Sequence, residues 1–235
     1  MVVYQKRLID QKTQLQETEL NQQKLLLRAS IQSEESERKR IAENLHDEVM
    51  ALLNTARIGI SQVLDDLESD SKSFERSYAS SLMISEALER IRSLSRDLKP
   101  PVLGTFGLVA GLRELCNKSY RATGIQVKFI SPDSVQRLDP FIEISLYRIV
   151  CELLQNSIKH AQPSLIEVEI FSDNSFLKVS FRDDGKGFDF ENELVANQHG
   201  SGLRNIQSRV QAIKGEIRFE KNYDKGLLVN ILIIL

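Results

Sequence analysis

The chain has 235 residues, 41% hydrophobic and 27% charged, the balance of an ordered globular protein rather than a disordered one. A formal charge of −2 gives no footing to nucleic acid as the main ligand. The two cysteines, Cys116 and Cys151, each sit in an apolar helical pattern, which suits buried reduced thiols and not a disulfide framework.

Residues 1–35 form a first segment. It is rich in Gln, Glu, Lys, Arg and Leu, and residues 5–40 contain no Gly or Pro, so good helix formers dominate. Leu8/Leu15 and Leu20/Leu27 are seven apart, but the heptad is not sustained. A signalling helix is expected here, either as a dimeric coiled coil or as a solvated helix. Tyr4 is followed by Lys6-Arg7, as at the cytoplasmic edge of a membrane helix, so the chain is expected to be the cytoplasmic part of a longer sensor. No apolar run reaches the length that spans a bilayer, and the start lacks the apolar core of a signal peptide.

Residues 36–101 are expected to form a helical hairpin. Ile41, Leu45, Val49, Leu52, Ala56, Ile60, Val63 and Leu67 recur in steps of four and three. Ser69-Asp-Ser-Lys-Ser73 is a polar turn. A second stripe follows with Phe74, Tyr78, Leu82, Leu88, Ile91 and Leu98, and Pro100-Pro101 ends it. One hairpin cannot hide both stripes, whereas two hairpins from two chains can, as a four-helix bundle. His46 lies one residue past Leu45, roughly 100° around the helix, and so faces solvent at the edge of the stripe. Asp47 stands beside it: a titratable nucleophile with a carboxylate neighbour.

Residues 102–235 change to a mixed pattern. Helices are expected over 107–122, 140–160 and 202–214, and strands over 125–130, 166–171, 177–181, 216–221 and 227–234. The α+β class follows, with a helical hairpin preceding a two-layer α/β sandwich that has helices on one face of a mixed sheet.

Three stretches here carry chemistry. Glu152, Asn156 and either Lys159 or His160 share a helix face by three- and four-residue spacing. Glu and Asn oxygens suit Mg²⁺, and Lys neutralises phosphate; alone, a solvated polar face explains them as well. Asp183-Asp-Gly185-Lys-Gly187 ends a strand, where an Asp can accept from a base amino group and glycines permit positive φ. Gly200-Ser-Gly202-Leu203 precedes a helix whose N–H groups can cradle phosphates. The polar residues between the two glycine stretches have the character of a lid.

In this order, the motifs resemble a sensor histidine kinase of the NarX/DesK-like subfamily over nearly the whole chain. Ile41-Ala-Glu-Asn-Leu-His46-Asp47 is similar to its phosphoacceptor box. Leu98-Lys-Pro-Pro-Val-Leu103 through Gly107-Leu-Val-Ala-Gly-Leu112 resembles its connector. Glu152 to Ala161 is similar to its N box, and the two glycine stretches to its G1 and G2 boxes. The resemblance implies the GHKL (Bergerat) ATP-binding fold, ATP and Mg²⁺ as cofactors, and a homodimer through the hairpin. It also implies a response-regulator receiver domain as partner. By it, His46 takes the γ-phosphoryl group, and Asp47 orients the ring and accepts a proton. Asn156 with Glu152 would hold Mg²⁺, and Asp183 would bind adenine. Lys159, His160, Gly185, Gly187, Gly200, Gly202 and Leu203 would line the nucleotide.

The subfamily usually places Gln five residues after the phosphoacceptor, where this chain has Ala51, so an amide that positions water for dephosphorylation is missing. Two other readings compete. A non-catalytic ATP-dependent switch would have no use for His46 beside Asp47. A metal site at His46 would have to recruit the two other histidines, which lie far away in sequence.

Overall fold

The computed structural model describes residues 2–69, 71–132, 135–173, 175–187, 201–221 and 226–235. They fall into two compact units. One is Ser33–Pro101; the other is Val102–Leu235 together with Met1–Gln32.

The first unit is helical. Helix α1 (Val2–Asn44) enters it, a π-helical turn (Leu45–Val49) follows, and α2 (Met50–Asp65) continues the rod. Helix α3 (Lys72–Leu98) returns. Its start is set by Ser71, whose hydroxyl accepts from the Phe74 N–H at 3.1 Å and satisfies one of the first-turn donors. Most of the expected stripe lies inside the hairpin: Leu45, Val49, Ile60, Leu67, Phe74, Ile91 and Leu98 are half-buried and Leu88 is buried. Ala42, Met50 and Leu88 are buried, while Leu52, Tyr78 and Leu82 are more than half exposed. On α3 the less exposed positions run through Ser77, Ser81 and Ser95. The Ser95 hydroxyl donates to the Ala42 carbonyl at 3.0 Å. Tyr78 and Leu82, one position beyond Ser77 and Ser81, are left outside in the single chain.

The second unit opens with α4 (Pro101–Thr123), which is broken at Gly107. There φ is +82° and a Cβ would strike the Arg137 side chain. That arginine grips Glu143, a nearly buried carboxylate, through two bonds of 2.9 and 3.0 Å, and the Leu138 N–H adds a third. Strand β1 (Gln126–Ile130) follows, then α5 (Pro140–Asn156) with a second π-helical turn (Ser157–Ala161). Asp139 caps α5, and Pro140 occupies its first turn, where a missing N–H costs nothing.

Next come β2 (Leu165–Ser172), β3 (Phe176–Asp183), α6 (Ser201–Ala212), β4 (Glu216–Lys221) and β5 (Leu227–Ile234). The sheet order is β1-β2-β3-β5-β4, with β1 parallel to β2 and the other pairs antiparallel. Alternation turns Ile166, Val168, Leu177, Val179, Phe181, Val229 and Ile231 toward the helices, all within 1% exposure. Leu112, Leu146, Ile149, Val150 and Ile206 cover them from α4, α5 and α6. The result is the two-layer sandwich expected. Cys116 is part of this core, and burial pushes its thiol up to about 12, so it stays protonated and inert at neutral pH.

Candidate functional site

The candidate residues fall into two sets, one in each unit. In the helical unit, His46 lies in the π-helical turn, its side chain 67% exposed. Its Nδ1 is 3.1 Å from the Asp47 carboxylate. When Nδ1 carries the ring proton it donates to Asp47, and the lone pair falls on Nε2. Short π-helical turns concentrate at functional positions because the extra residue re-aims a side chain. Three cations, Arg92 and Arg96 of α3 and Lys99 at its C-terminal cap, line the groove in which His46 stands. Lys99 binds Glu43 across the hairpin at 2.7 Å, and that bond lowers the Glu43 carboxyl below its ordinary value. The basic positions recur at four and three residues along α3, so the signal was present in the sequence as a helix face.

In the α/β unit, Asp183 ends β3 and is 1% exposed. Its Oδ1 accepts from the Gly185 N–H at 2.9 Å, and its Oδ2 accepts from the Ser157 hydroxyl at 3.0 Å. Asp184 points elsewhere and ties β2 down, accepting from the Ser164 and Leu165 N–H groups at 2.7 and 2.9 Å. The Ser164 hydroxyl first, then the Leu165 N–H, hold its carboxyl below the usual range.

The glycines serve the protein's own packing. A Cβ on Gly185 would meet the Ala161 carbonyl, and Gly185 does not have positive φ. Gly187 does, at +76°. Gly226, outside the expected set, has φ +102°, and its Cβ would collide with the Asp183 carbonyl. That glycine lets β5 begin against the end of β3, and only the sheet order makes the two neighbours.

Glu152 and Asn156 are brought together on α5, half-buried, because both lie against Gly202 at the start of α6. A side chain at Gly202 would occupy the place of the Glu152 carboxylate. Leu203 turns its side chain to the core, leaving its backbone N–H in the first turn of α6, where helix donors lack partners. Lys159 and His160 follow in the π-helical turn and are exposed, so the three- and four-residue spacing from Asn156 does not hold there as in an α-helix. Gly200 and the lid segment lie outside the described residues. Ser157 was not foreseen, and nothing short of the β3 neighbour marks it in the sequence.

Residues 37–103 match the histidine kinase family model HisKA_3, and residues 142–234 match HATPase_c, the histidine kinase-, DNA gyrase B- and HSP90-like ATPase family. A sensor histidine kinase, MctS of Rhizobium johnstonii, is 31% identical over 82% of this chain and 42% of its own length. The oxygen sensor histidine kinase NreB of Staphylococcus carnosus is 28% identical over 93% of this chain and 62% of its own. The chain thus spans about half the length of the curated relatives it matches. Among solved structures, the histidine kinase domain of the Erythrobacter litoralis EL346 blue-light activated histidine kinase shares the fold. Its TM-score is 0.50 at 17% identity, over 78% of this chain and 94% of that one.

Proposed function

We propose, from the premise that this chain belongs to the sensor histidine kinase family, that it phosphorylates His46 from ATP and passes the phosphoryl group to an aspartate of a receiver domain. One observation carries the reading. A single chain pairs an exposed imidazole, its Nδ1 held 3.1 Å from Asp47, with an ATPase-type domain whose buried strand-end carboxylate is aimed by two donors.

The residues present fit the cofactors. Asp183 offers an acceptor to the adenine amino group. Glu152 and Asn156 stand side by side against Gly202, and their carboxylate and amide groups carry the oxygen donors that a hard cation takes beside phosphates. Mg²⁺, when bound, neutralises phosphate charge and orients the γ-phosphoryl group. The first-turn N–H groups of α6 and the ammonium of Lys159 complete the phosphate surroundings. Phosphoryl transfer asks for positioning and charge neutralisation more than covalent help.

His46 supplies the nucleophile. Nε2 attacks the γ-phosphorus in line, the bond to the β–γ bridging oxygen breaks, and ADP leaves. The Nδ1 proton passes to Asp47 and on to solvent as the ring becomes N-phosphorylated. Arg92 and Arg96 beside His46 offset the charge that arrives.

The hairpin leaves Leu52, Ile58, Val63, Leu82, Met83 and Leu94 uncovered, each 49–72% exposed. At roughly 1.5–3 kcal/mol for each side chain removed from water, covering them supports a homodimeric four-helix bundle. Supply of ATP places the site on the cytoplasmic side, and no helix among the described residues is long and apolar enough to cross a membrane. Incubation with γ-labelled ATP and Mg²⁺, then acid and alkali treatment, tests the reading. Alkali-stable, acid-labile label is the expected result, and acid-stable label or none overturns it.

A further inference from the structure

We infer that Ser157 is a positioning residue for base selection: through its hydroxyl it holds the Asp183 carboxylate as an acceptor edge, favouring a 6-aminopurine nucleotide. The inference rests on the proposed reading of Asp183 as the base contact and adds a residue that touches no part of the nucleotide.

An ionised carboxylate only accepts hydrogen bonds, at about four lone-pair sites. At Asp183 the protein fills one on each oxygen, from Gly185 N–H and from Ser157 Oγ. The rest are left for a ligand, and both oxygens are pinned. The two tethers differ in kind. The Gly185 bond belongs to the turn that follows β3, so it fixes the carboxylate to its own strand. The Ser157 bond comes from the π-helical turn that ends α5 and fixes the carboxylate to the helix carrying Asn156 and Glu152.

Ser157 is 4% exposed, so water does not readily replace its hydroxyl. Without that hydroxyl, one oxygen in a nearly closed site loses its protein donor, and the carboxylate is free to turn about its last bond. A turned carboxylate no longer meets the amino group of the base squarely. Contacts to ribose and phosphates are made by other residues and do not change.

The test compares two probes on the full chain, ADP and the diphosphate of purine riboside, which is the same nucleotide without the 6-amino group. Dissociation constants are measured by calorimetry for the natural protein, Ser157→Ala and Ser157→Cys. The cysteine variant keeps the shape but offers a weak donor, and a cooperative thermal transition shows which variants fold. The natural protein is expected to bind ADP about tenfold or more tighter than the unsubstituted purine nucleotide, the effect of one hydrogen bond to a charged group. Both variants should lose most of that preference through weaker ADP binding, with the purine riboside diphosphate unchanged within about twofold. Equal weakening of both probes would make Ser157 a structural residue and overturn the inference, as would an unchanged preference. If the natural protein itself shows no preference, the Asp183 reading fails, and the inference falls with it.

Discussion

The two units bury apolar surface in different ways. In Ser33–Pro101 the buried apolar side chains are Ala42, Met50 and Leu88. In the α/β unit a cluster runs from Leu103 to Ile233 and includes side chains with no measurable exposure, such as Leu112, Leu146, Ile149 and Phe181. The sheet satisfies its hydrophobic face with its own helices, whereas a two-helix hairpin has no third layer to offer. The α/β unit therefore covers its apolar face within one chain, and the hairpin leaves apolar side chains exposed, which is the ground for the proposed bundle. The difference also separates the two kinds of candidate residue. Asp183 is aimed by buried donors inside a rigid core, while His46 stands in water on an irregular turn.

That division predicts that the two halves of the reaction can be broken separately. His46→Gln should abolish label incorporation altogether and leave ADP affinity near that of the natural protein. Persistent labelling of the variant would show that the phosphoacceptor is elsewhere. Asn156→Ala should also bring phosphorylation close to zero while the helical unit stays intact. Here normal Mg²⁺-dependent transfer by the variant would remove Asn156 from the metal.

Asp183→Asn sharpens the contrast from the buried side. An amide can present a donor where an acceptor is needed, at a cost of about 1.5–3 kcal/mol in ATP binding. A dissociation constant unaltered in the variant speaks against Asp183 as the base contact. On the exposed side, Leu52→Glu puts a charge on the uncovered stripe twice per dimer. At about 2 kcal/mol for each lost leucine contact, self-association should weaken by about 100-fold or more. Sedimentation would register this, and ATP affinity should not move. An unchanged dimer would mean that this face is not the interface.

The smallest effect concerns Ala51. It is exposed on α2, five residues beyond His46. The π-helical turn between them bonds the Met50 N–H to the Leu45 carbonyl, five residues back, and so brings position 51 closer to alignment with position 46 than a regular α-helix would. An amide there could hold a water in line with a phospho-aspartate, which alanine cannot. Ala51→Gln is expected to shorten the lifetime of a phosphorylated receiver domain by several-fold, with autophosphorylation largely kept. Fast decay with Ala51 and no change with Gln would assign the water to another group, such as Glu48.

Much of the fold was legible because it depends on local periodicity. The stripes of Ile41–Leu67 and Phe74–Leu98, the alternation in Ile166–Phe171, and the Pro100-Pro101 stop all state their conformation within a few residues. Tyr78 and Leu82 of the second stripe are exposed in the single chain, as expected of residues that one hairpin cannot hide by itself. That Ser77, Ser81 and Ser95 share the less exposed side of α3 with Leu88 and Ile91 shows only when the partner helix is present. His46, Asp47, Glu152, Asn156 and Asp183 stood out as candidates because their residue types occur in a specific order along the chain, while their roles stay proposals.

What the sequence determined by itself is therefore the kind of most elements and a list of candidate groups, since helix and strand periods and residue chemistry are local properties. Tertiary structure alone decided what holds those groups. Ser157 meets Asp183 across 26 positions of sequence. Gly226 clears the path of β5 past the Asp183 carbonyl, and Gly202 makes room for the Glu152 carboxylate. Each depends on two backbones passing close to one another, and the distance between segments far apart in the chain is set by sheet order and core packing, which no single stretch of residues encodes.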